Sequence, residues 1–208
     1  AIILALALGA LMVLLFLFGI IVCYQSLDIP FALSAAHWNL HFRAILIAYT
    51  NMINIVYFSG GAAIVLALTL RFTNRAEKMS IFTQERLYLL GFSVTLAGIS
   101  KEFFKYAFGR TWPETWVNNP SLLRDHVFGF HFFHGGIAYS SFPSGHMTII
   151  SAAMTALFLS VQRKKSARWI CCLPVILMAV SLLTLDYHFL SDVLAGALLG
   201  GSVAIFTE

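Results

Sequence analysis

The chain has 208 residues, of which 60% are hydrophobic and only 11% are charged, and its formal net charge is +4. A soluble globular domain is nearer half apolar and a quarter charged. The composition therefore excludes a soluble enzyme, a disordered chain and a free-standing nucleic-acid module. It predicts one integral-membrane domain over residues 1–208, with several membrane spans of about 20 residues each.

Taken in chain order, the apolar stretches predict an all-α, six-span transmembrane helix bundle. They cover roughly residues 1–23, 52–70, 87–104, 146–162, 169–187 and 189–206. The first stretch is too long for the apolar core of a signal peptide, so we expect it to be retained as a span. The segment after it, 24–51, mixes polar, aromatic and apolar residues. This mixture predicts an interfacial element on the membrane, with Trp38 near the headgroups.

Basic residues are concentrated in two short loops between the spans. Loops 71–86 and 163–168 together hold eight of the 13 lysines and arginines. The positive-inside rule places both loops in the cytoplasm, and with six spans both termini lie there too. The segments 24–51 and 105–145 and the turn 186–192 then lie on the outer side, which is the periplasm in a Gram-negative cell.

The first polar cluster on the outer side lies at the end of the third span. Lys101 and Lys105 are four residues apart, so they share one helix face. Gly109 is suited to ending the helix, and Arg110 follows it directly. Taken alone, such residues are also typical of basic side chains that snorkel at a membrane edge.

Two further clusters contain histidines. The run P-S-G-H at 143–146 predicts a helix start with Ser144 as N-cap, where free N–H groups form an anion site and His146 lies in the first turn. His188 and Asp192 are four residues apart on one helix face. A carboxylate that accepts a hydrogen bond from one ring nitrogen leaves the other nitrogen free as a nucleophile or base. Taken alone, both clusters are also typical of ordinary helix caps.

Together the three clusters form a set of groups suited to binding a phosphate and attacking its phosphorus. Cations neutralise the phosphate oxygens, one histidine attacks, and the other protonates the leaving oxygen. The clusters resemble the motifs of the type 2 phosphatidic acid phosphatases, integral-membrane lipid phosphatases related to vanadium haloperoxidases. The resemblance covers roughly residues 101–200. The first family pattern, K-x6-R-P, is often written out as K-x3-G-R-x-R-P, and it is present here as Lys105, Gly109, Arg110 and Pro113. The second pattern, P-S-G-H, is complete at residues 143–146, and the third, S-R-x5-H-x3-D, is present as Ser181, His188 and Asp192.

Two positions depart from the family pattern. Trp112 replaces the arginine before the proline of the first motif, and Leu182 replaces the arginine of the third. In the family both arginines are expected to hold the phosphate. Arg110, Lys101 or Arg124 are the candidates to replace them. The tryptophan itself is also suited to packing on a lipid or sugar headgroup.

The resemblance implies a role for each matched residue. His188 attacks phosphorus to form a phosphohistidine, Asp192 orients His188, and His146 protonates the leaving oxygen and later activates water. The phosphoryl oxygens are held by Lys105, Arg110, Ser144 and the Gly145 backbone N–H. The resemblance implies no metal and no cofactor, because the cations stabilise the developing charge.

The resemblance thus implies a metal-independent lipid phosphatase of the bacterial inner (cytoplasmic) membrane with an outward-facing site. Candidate substrates are phosphatidylglycerol phosphate, undecaprenyl pyrophosphate, phosphatidic acid and lipid A phosphates. The expected partners are this amphiphilic substrate and membrane lipids, with no nucleic acid and no obligate protein partner. Two alternatives stay open: a lipid-to-lipid phosphotransferase with the same phosphohistidine, and a lipid-binding relative without catalysis.

Overall fold

The computed structural model describes residues 2–38, 41–72, 81–116, 118–161 and 165–208. The helices in these ranges are α1 (Ile2–Val22), α2 (Asp28–Ala35), α3 (Arg43–Asn51), α4 (Ile53–Phe72), α5 (Ile81–Phe108), α6 (Leu122–Asp125), α7 (Gly145–Ser160), α8 (Lys165–Thr184) and α9 (Leu190–Phe206). A π-helical stretch, Cys23–Leu27, joins α1 to α2, and a 3-10 turn, Ile137–Tyr139, precedes α7.

The predicted all-α fold is confirmed, and each predicted apolar stretch coincides with one of α1, α4, α5, α7, α8 and α9. Among the described residues, three stretches are long and apolar enough to cross a membrane: Gly9–Ala35, Arg43–Phe72 and Gln84–Phe108. Three shorter apolar helices follow: Gly145–Ser160, Trp169–Thr184 and Leu190–Phe206. Residues 73–80 and 162–164, which include part of each basic loop, lie outside the described residues.

The structure differs from the prediction over residues 24–51. Instead of a separate interfacial element, the first helix continues through the π-helical stretch to Ala35, and α3 leads into α4 after a break at Met52. Asp28, one of the polar residues of this segment, is only 1% exposed. Asp28 is tolerated inside the bundle because it forms an ion pair with Arg110, which compensates a buried charge.

The bundle is organised around α7, which packs against α5, α8 and α9. Helix α9 approaches the α7 backbone very closely: a Cβ added at Gly196 would lie 2.6 Å from the Ser144 carbonyl oxygen, and one at Gly200 would lie 2.2 Å from that of Thr148. Small residues permit such contact between membrane helices. The close contact holds the N-termini of α7 and α9 side by side, and these termini carry His146 and Asp192.

The end of α5 turns the chain back over the bundle at Gly109. The Gly109 N–H donates to the Lys105 carbonyl oxygen at 2.9 Å, and its φ of +55° is one that glycine adopts without strain. A Cβ there would lie 1.9 Å from the His131 carbonyl oxygen. The prediction that Gly109 ends the helix is confirmed, and the turn directs Arg110 into the bundle.

The helices also define two ends of the bundle. Arg86, near the start of α5, donates to the Ser160 carbonyl oxygen at the end of α7. The opposite end carries the C-terminus of α5 and the N-termini of α7 and α9. All three polar clusters identified in the sequence lie at this second end.

Candidate active site

The predicted nucleophile, His188, lies in the short turn between α8 and α9 and is 4% exposed. Its Nδ1 is 3.5 Å from Asp192 Oδ2 and 3.4 Å from Ser141 Oγ. The Ser141 hydroxyl donates to the same Asp192 Oδ2 at 2.6 Å, and the Phe189 N–H donates to it at 3.1 Å. The carboxylate is therefore held beside Nδ1, which leaves Nε2 as the nitrogen available for attack.

Burial lowers the pKa of His188 below its ordinary value of 6.5. The nearby Asp192 carboxylate opposes this shift, whereas the Lys105 ammonium acts in the same direction as burial. Because the pKa is lowered, the imidazole is neutral at pH 7. A neutral imidazole has the free lone pair that nucleophilic attack requires.

The P-S-G-H run begins α7 as predicted. Ser144 is the N-cap, with its Oγ accepting a hydrogen bond from the Met147 N–H at 3.5 Å, and its own N–H donates to the Asp192 carbonyl oxygen at 3.0 Å. The centroids of the His146 and His188 rings are 6.4 Å apart. The first N–H groups of α7 have no partner within the helix, so this end offers donors to an anion next to both imidazoles.

Two lysines of α5 reach the same helix start. A Cβ added at Gly145 would lie 3.4 Å from Lys105 Nζ and 3.3 Å from Lys101 Cδ. Lys101 also forms an ion pair with Glu102. Lys105 Nζ lies 6.0 Å from the centroid of the Trp112 ring. Both positive charges therefore lie next to the N-terminus of α7, although Lys101 shares its charge with a neighbouring carboxylate.

A cavity of about 460 Å³ opens beside these groups, between α4, α5 and α7. Its polar lining includes His146 and both lysines. The full lining is Ile53, Asn54, Tyr57, Phe58, Lys101, Glu102, Lys105, Gly145, His146 and Ile149. Phe58 is 73% exposed on the outside of the bundle, so one wall of the cavity faces the surroundings of the helices.

The structure disagrees with the predicted phosphate contact of Arg110. Its side chain is fully buried, and it donates to Asp192 Oδ1 at 2.5 Å and to Asp28 Oδ2 at 2.7 Å. It also donates to Ser191 Oγ at 2.5 Å. Because the guanidinium is already bound to two carboxylates behind His188, it is not directed at the cavity.

The two departures from the family pattern are both buried. Trp112 is 6% exposed; its Nε1 donates to the Ile137 carbonyl oxygen at 2.9 Å, and its ring centroid is 5.2 Å from that of His188. Leu182 is fully buried in the apolar core. The alternative cation Arg124 pairs with Asp125 at 2.8 Å and has a half-exposed side chain. Of the suggested replacements for the missing arginines, only Lys101 lines the cavity.

Aromatic rings extend from Trp112 away from His188. Trp112 packs edge-on against Trp116 with centroids 4.9 Å apart, and Trp116 packs against Tyr187 at 4.6 Å. We call these three residues the aromatic wall. Trp116 is 38% exposed, so the wall offers an apolar surface at Trp116, one ring away from the Trp112 ring that lies beside His188.

Three residues of the site were not found in the sequence: Asp28, Ser141 and Ser191. Asp28 carried one signal, because a carboxylate within an apolar stretch is costly in a membrane protein and marks a functional position. Ser191 and Ser141 carried none. A serine beside a motif aspartate or inside a polar loop is too common to single out.

Comparisons with known proteins identify the family of the chain. The family model of the PAP2 superfamily matches residues 86–207. The lipid A 1-phosphatase of Rhizobium johnstonii is 29% identical over 160 residues, which is 76% of this chain and 59% of that protein. The lipid A 1-phosphatase of Rhizobium etli is also 29% identical, over 77% of this chain and 64% of that protein. The chain thus spans about three fifths of the length of these relatives.

A solved structure has a similar fold. It is the crystal structure of the first transmembrane PAP2 type phosphatidylglycerolphosphate phosphatase from Bacillus subtilis, with a TM-score of 0.54 and 16% sequence identity. The similarity covers 94% of this chain and 93% of the other. The resemblance noted in the sequence is confirmed by the family match and this shared fold: the chain is an integral membrane protein that belongs to the PAP2 superfamily.

Proposed function

We propose that the protein is a metal-independent membrane lipid phosphatase that works through a phosphohistidine on His188. The observation that carries the proposal is the arrangement at one end of the bundle. There the oriented His188–Asp192 pair, His146 and Lys105 surround the N-terminus of α7. An oriented nucleophile, an acid–base group and concentrated positive charge are what transfer of a phosphoryl group to an imidazole requires.

In the first step, His188 Nε2 bonds to phosphorus as the bond from phosphorus to the lipid oxygen breaks. His146 donates a proton to the departing oxygen, so the lipid leaves as an alcohol. The Nδ1 proton stays between His188 and Asp192. The imidazole becomes positively charged as it attacks, and the adjacent carboxylate stabilises that charge.

In the second step, His146 takes a proton from a water molecule, whose oxygen attacks phosphorus. The bond between phosphorus and Nε2 breaks, and inorganic phosphate leaves. Lys105, with a weaker contribution from Lys101, and the first N–H groups of α7 stabilise the phosphoryl oxygens in both steps. Ser144 caps α7 and holds this helix start beside Asp192.

A sugar-linked phosphate of the lipid A type is the substrate class that we favour. Two relatives, from Rhizobium johnstonii and Rhizobium etli, are lipid A 1-phosphatases. The aromatic wall supports this choice, because aromatic side chains combine a large apolar surface with a polar tip and so suit the C–H face of a sugar ring. The cavity wall formed by Tyr57 and Phe58 provides a place for the lipid portion.

We also propose that the site faces the outer side of the inner membrane. The site lies at the end of the bundle opposite Arg86 and Ser160. These two residues adjoin the basic loops 71–86 and 163–168, which the positive-inside rule assigns to the cytoplasm. Six spans then place both termini on the cytoplasmic side.

The proposal is tested by phosphate release from the detergent-purified protein with metals chelated. The panel holds lipid A phosphate, phosphatidic acid, phosphatidylglycerol phosphate and undecaprenyl pyrophosphate. We expect release in the presence of chelator, with the highest kcat/KM for lipid A phosphate. Release that requires an added divalent metal, or binding of every lipid without turnover, would contradict the proposed activity.

Trp112→Arg is expected to change the substrate preference. The variant adds a charged donor near Lys105, and such hydrogen bonds contribute roughly 1.5–3 kcal/mol, but it removes the ring next to His188. We expect the ratio of kcat/KM for lipid A phosphate to that for phosphatidic acid to fall by about tenfold, because the sugar contact is lost and a general phosphate donor is gained.

Trp112→Phe is the matched control for this change, because it keeps an aromatic ring and adds no charge. We expect it to leave the ratio within about twofold. Equal ratios in wild type and Trp112→Arg would mean that the aromatic wall does not contact the substrate.

A further inference from the structure

We propose that Asp28 is a positioning residue for the reaction, acting through Arg110 on the Asp192 carboxylate. The proposal rests on the proposed function, and it assigns a role to a residue outside the region that the family model matches, 86–207. Asp28 stabilises the positive charge that His188 acquires as it attacks phosphorus.

Asp28 reaches the site because the π-helical stretch Cys23–Leu27 precedes it. The Asp28 N–H donates to the Cys23 carbonyl oxygen, five residues earlier, rather than four as in an α-helix. The additional residue in this turn rotates α2 relative to α1. Asp28 consequently faces α9, where its Oδ1 accepts from the Ser191 N–H at 3.0 Å and its Oδ2 accepts from the Ser191 hydroxyl.

Arg110 connects Asp28 to Asp192. One of its terminal nitrogens donates to Asp28 and the other to Asp192, and all three side chains are fully buried. Four aromatic rings surround the guanidinium at 4.4–5.1 Å from its central carbon, those of Tyr24, Phe128, Phe130 and Phe189. Because water is excluded, charges in this network interact more strongly than they would at a surface.

The formal charges show what Asp28 adds. With His188 neutral, two carboxylates and one guanidinium carry a net charge of about −1, counted from the ion pairs. When His188 bonds to phosphorus, its imidazole becomes positive and the set becomes neutral. Without the Asp28 charge, the set would be neutral before the attack and positive afterwards. Asp28 therefore favours the phosphohistidine and the transition state that leads to it.

A role limited to holding the fold makes a different prediction from this charge balance. If Asp28 only fastens α2 to the bundle, each further loss from the network should weaken the protein. If Asp28 offsets the charge of Arg110, removing both charges should restore the net charge next to His188. The double variant Asp28→Asn/Arg110→Gln keeps Asp192 as the one charged member and therefore separates the two roles.

The experiment measures kcat, KM and the amount of phosphoenzyme for full-length protein with lipid A phosphate. For Asp28→Asn, which has nearly the same shape as the native residue, we expect kcat to fall about 30-fold with KM within about twofold. The steady-state level of phosphoenzyme falls as well. For the double variant we expect kcat to recover to within about fivefold of wild type. Asp28→Glu, which keeps the charge, should also recover part of the activity.

Asp125→Asn is the matched control, because Asp125 also pairs with an arginine, but its pair lies at the surface rather than in the buried network. It should keep the wild-type kcat. An unchanged kcat in Asp28→Asn, or a double variant no more active than Asp28→Asn, would overturn the role of Asp28. If Asp28→Asn does not fold, the double variant alone tests the proposal, because a purely structural role of Asp28 predicts that the double variant does not fold either. Absence of His188-dependent release by the wild type would instead refute the proposed function itself.

Discussion

His188→Ala is expected to lower kcat for phosphate release by at least about 10³-fold, because the proposed covalent intermediate forms on the His188 imidazole. The fold should survive, since His188 lies in the turn between α8 and α9 and its ring contacts Trp112, Ser141 and Asp192 rather than the apolar core. Phosphate release under single-turnover and steady-state conditions measures the loss. Size-exclusion chromatography and thermal unfolding check the fold.

His131→Ala is the matched control for that variant. His131 lies in a loop at the same end of the bundle, is exposed, and packs against Tyr139 rather than His188. It should keep wild-type turnover.

Labelled substrate should leave acid-labile, alkali-stable label on wild-type protein and none on His188→Ala. Retention of more than about a tenth of wild-type activity by His188→Ala would show that another residue attacks phosphorus.

Lys105→Met is expected to produce the second large loss, about 10²–10³-fold in kcat/KM. The family arginines are replaced by Trp112 and Leu182, and Arg110 is bound to carboxylates. In the proposed mechanism, Lys105 is therefore the main cation that stabilises the phosphoryl charge. Its loss should cost more than the loss of one cation from a site that has several. Removing a single donor to a developing oxyanion costs about 10²–10³-fold in other enzymes. Kinetics across the substrate panel measure the effect.

Two variants show whether the Lys105 result depends on charge at that position. Lys101→Met should cost less, about tenfold, because Lys101 shares its charge with Glu102. Arg124→Met should have no effect, because Arg124 pairs with Asp125 away from the cavity. Equal losses in Lys105→Met and Arg124→Met would mean that general surface charge, not contact with the phosphoryl group, determines the rate.

Much of the fold could be predicted because it depends on local chemistry. Long apolar runs form helices in a membrane, where every backbone group must be satisfied internally. Ser144 was predictable as the start of α7 because its hydroxyl caps N–H groups. Gly109 was predictable as the end of α5 because glycine adopts a positive φ. Both properties follow from residue type alone. The spacing of His188 and Asp192 likewise predicted their contact, although His188 lies in the turn before α9 and does not share a helix face with Asp192.

The direction of Arg110 could not be predicted in this way. Its position in the sequence, between Lys105 and Pro113, matches a phosphate-binding motif. The turn at Gly109 nevertheless sends its side chain behind Asp192 instead of into the cavity. What holds it there is Asp28, 82 residues earlier in the chain. A contact over that separation depends on the packing of α2 against α9, and local spacing carries no information about it.

The π-helical stretch explains the failure over residues 24–51. If α1 continued as a regular α-helix, the side chains after it would keep the same helical periodicity. The additional residue in the turn Cys23–Leu27 rotates all later side chains about the helix axis. Asp28 then falls on the buried side of the bundle. Single additional residues of this kind have no composition signal, so periodicity cannot reveal them.

In the proposed reaction, the cavity beside Tyr57 and Phe58 is the route by which the lipid substrate reaches His146. Because its wall includes Phe58, which faces the surroundings of the bundle, a lipid can move sideways from the bilayer until its headgroup meets His146, while its chains stay among other lipids. Encounter then takes place in two dimensions. The quantity that determines saturation is the mole fraction of substrate in the leaflet, and diluting the substrate with inert lipid slows the enzyme even when the total amount of substrate is constant.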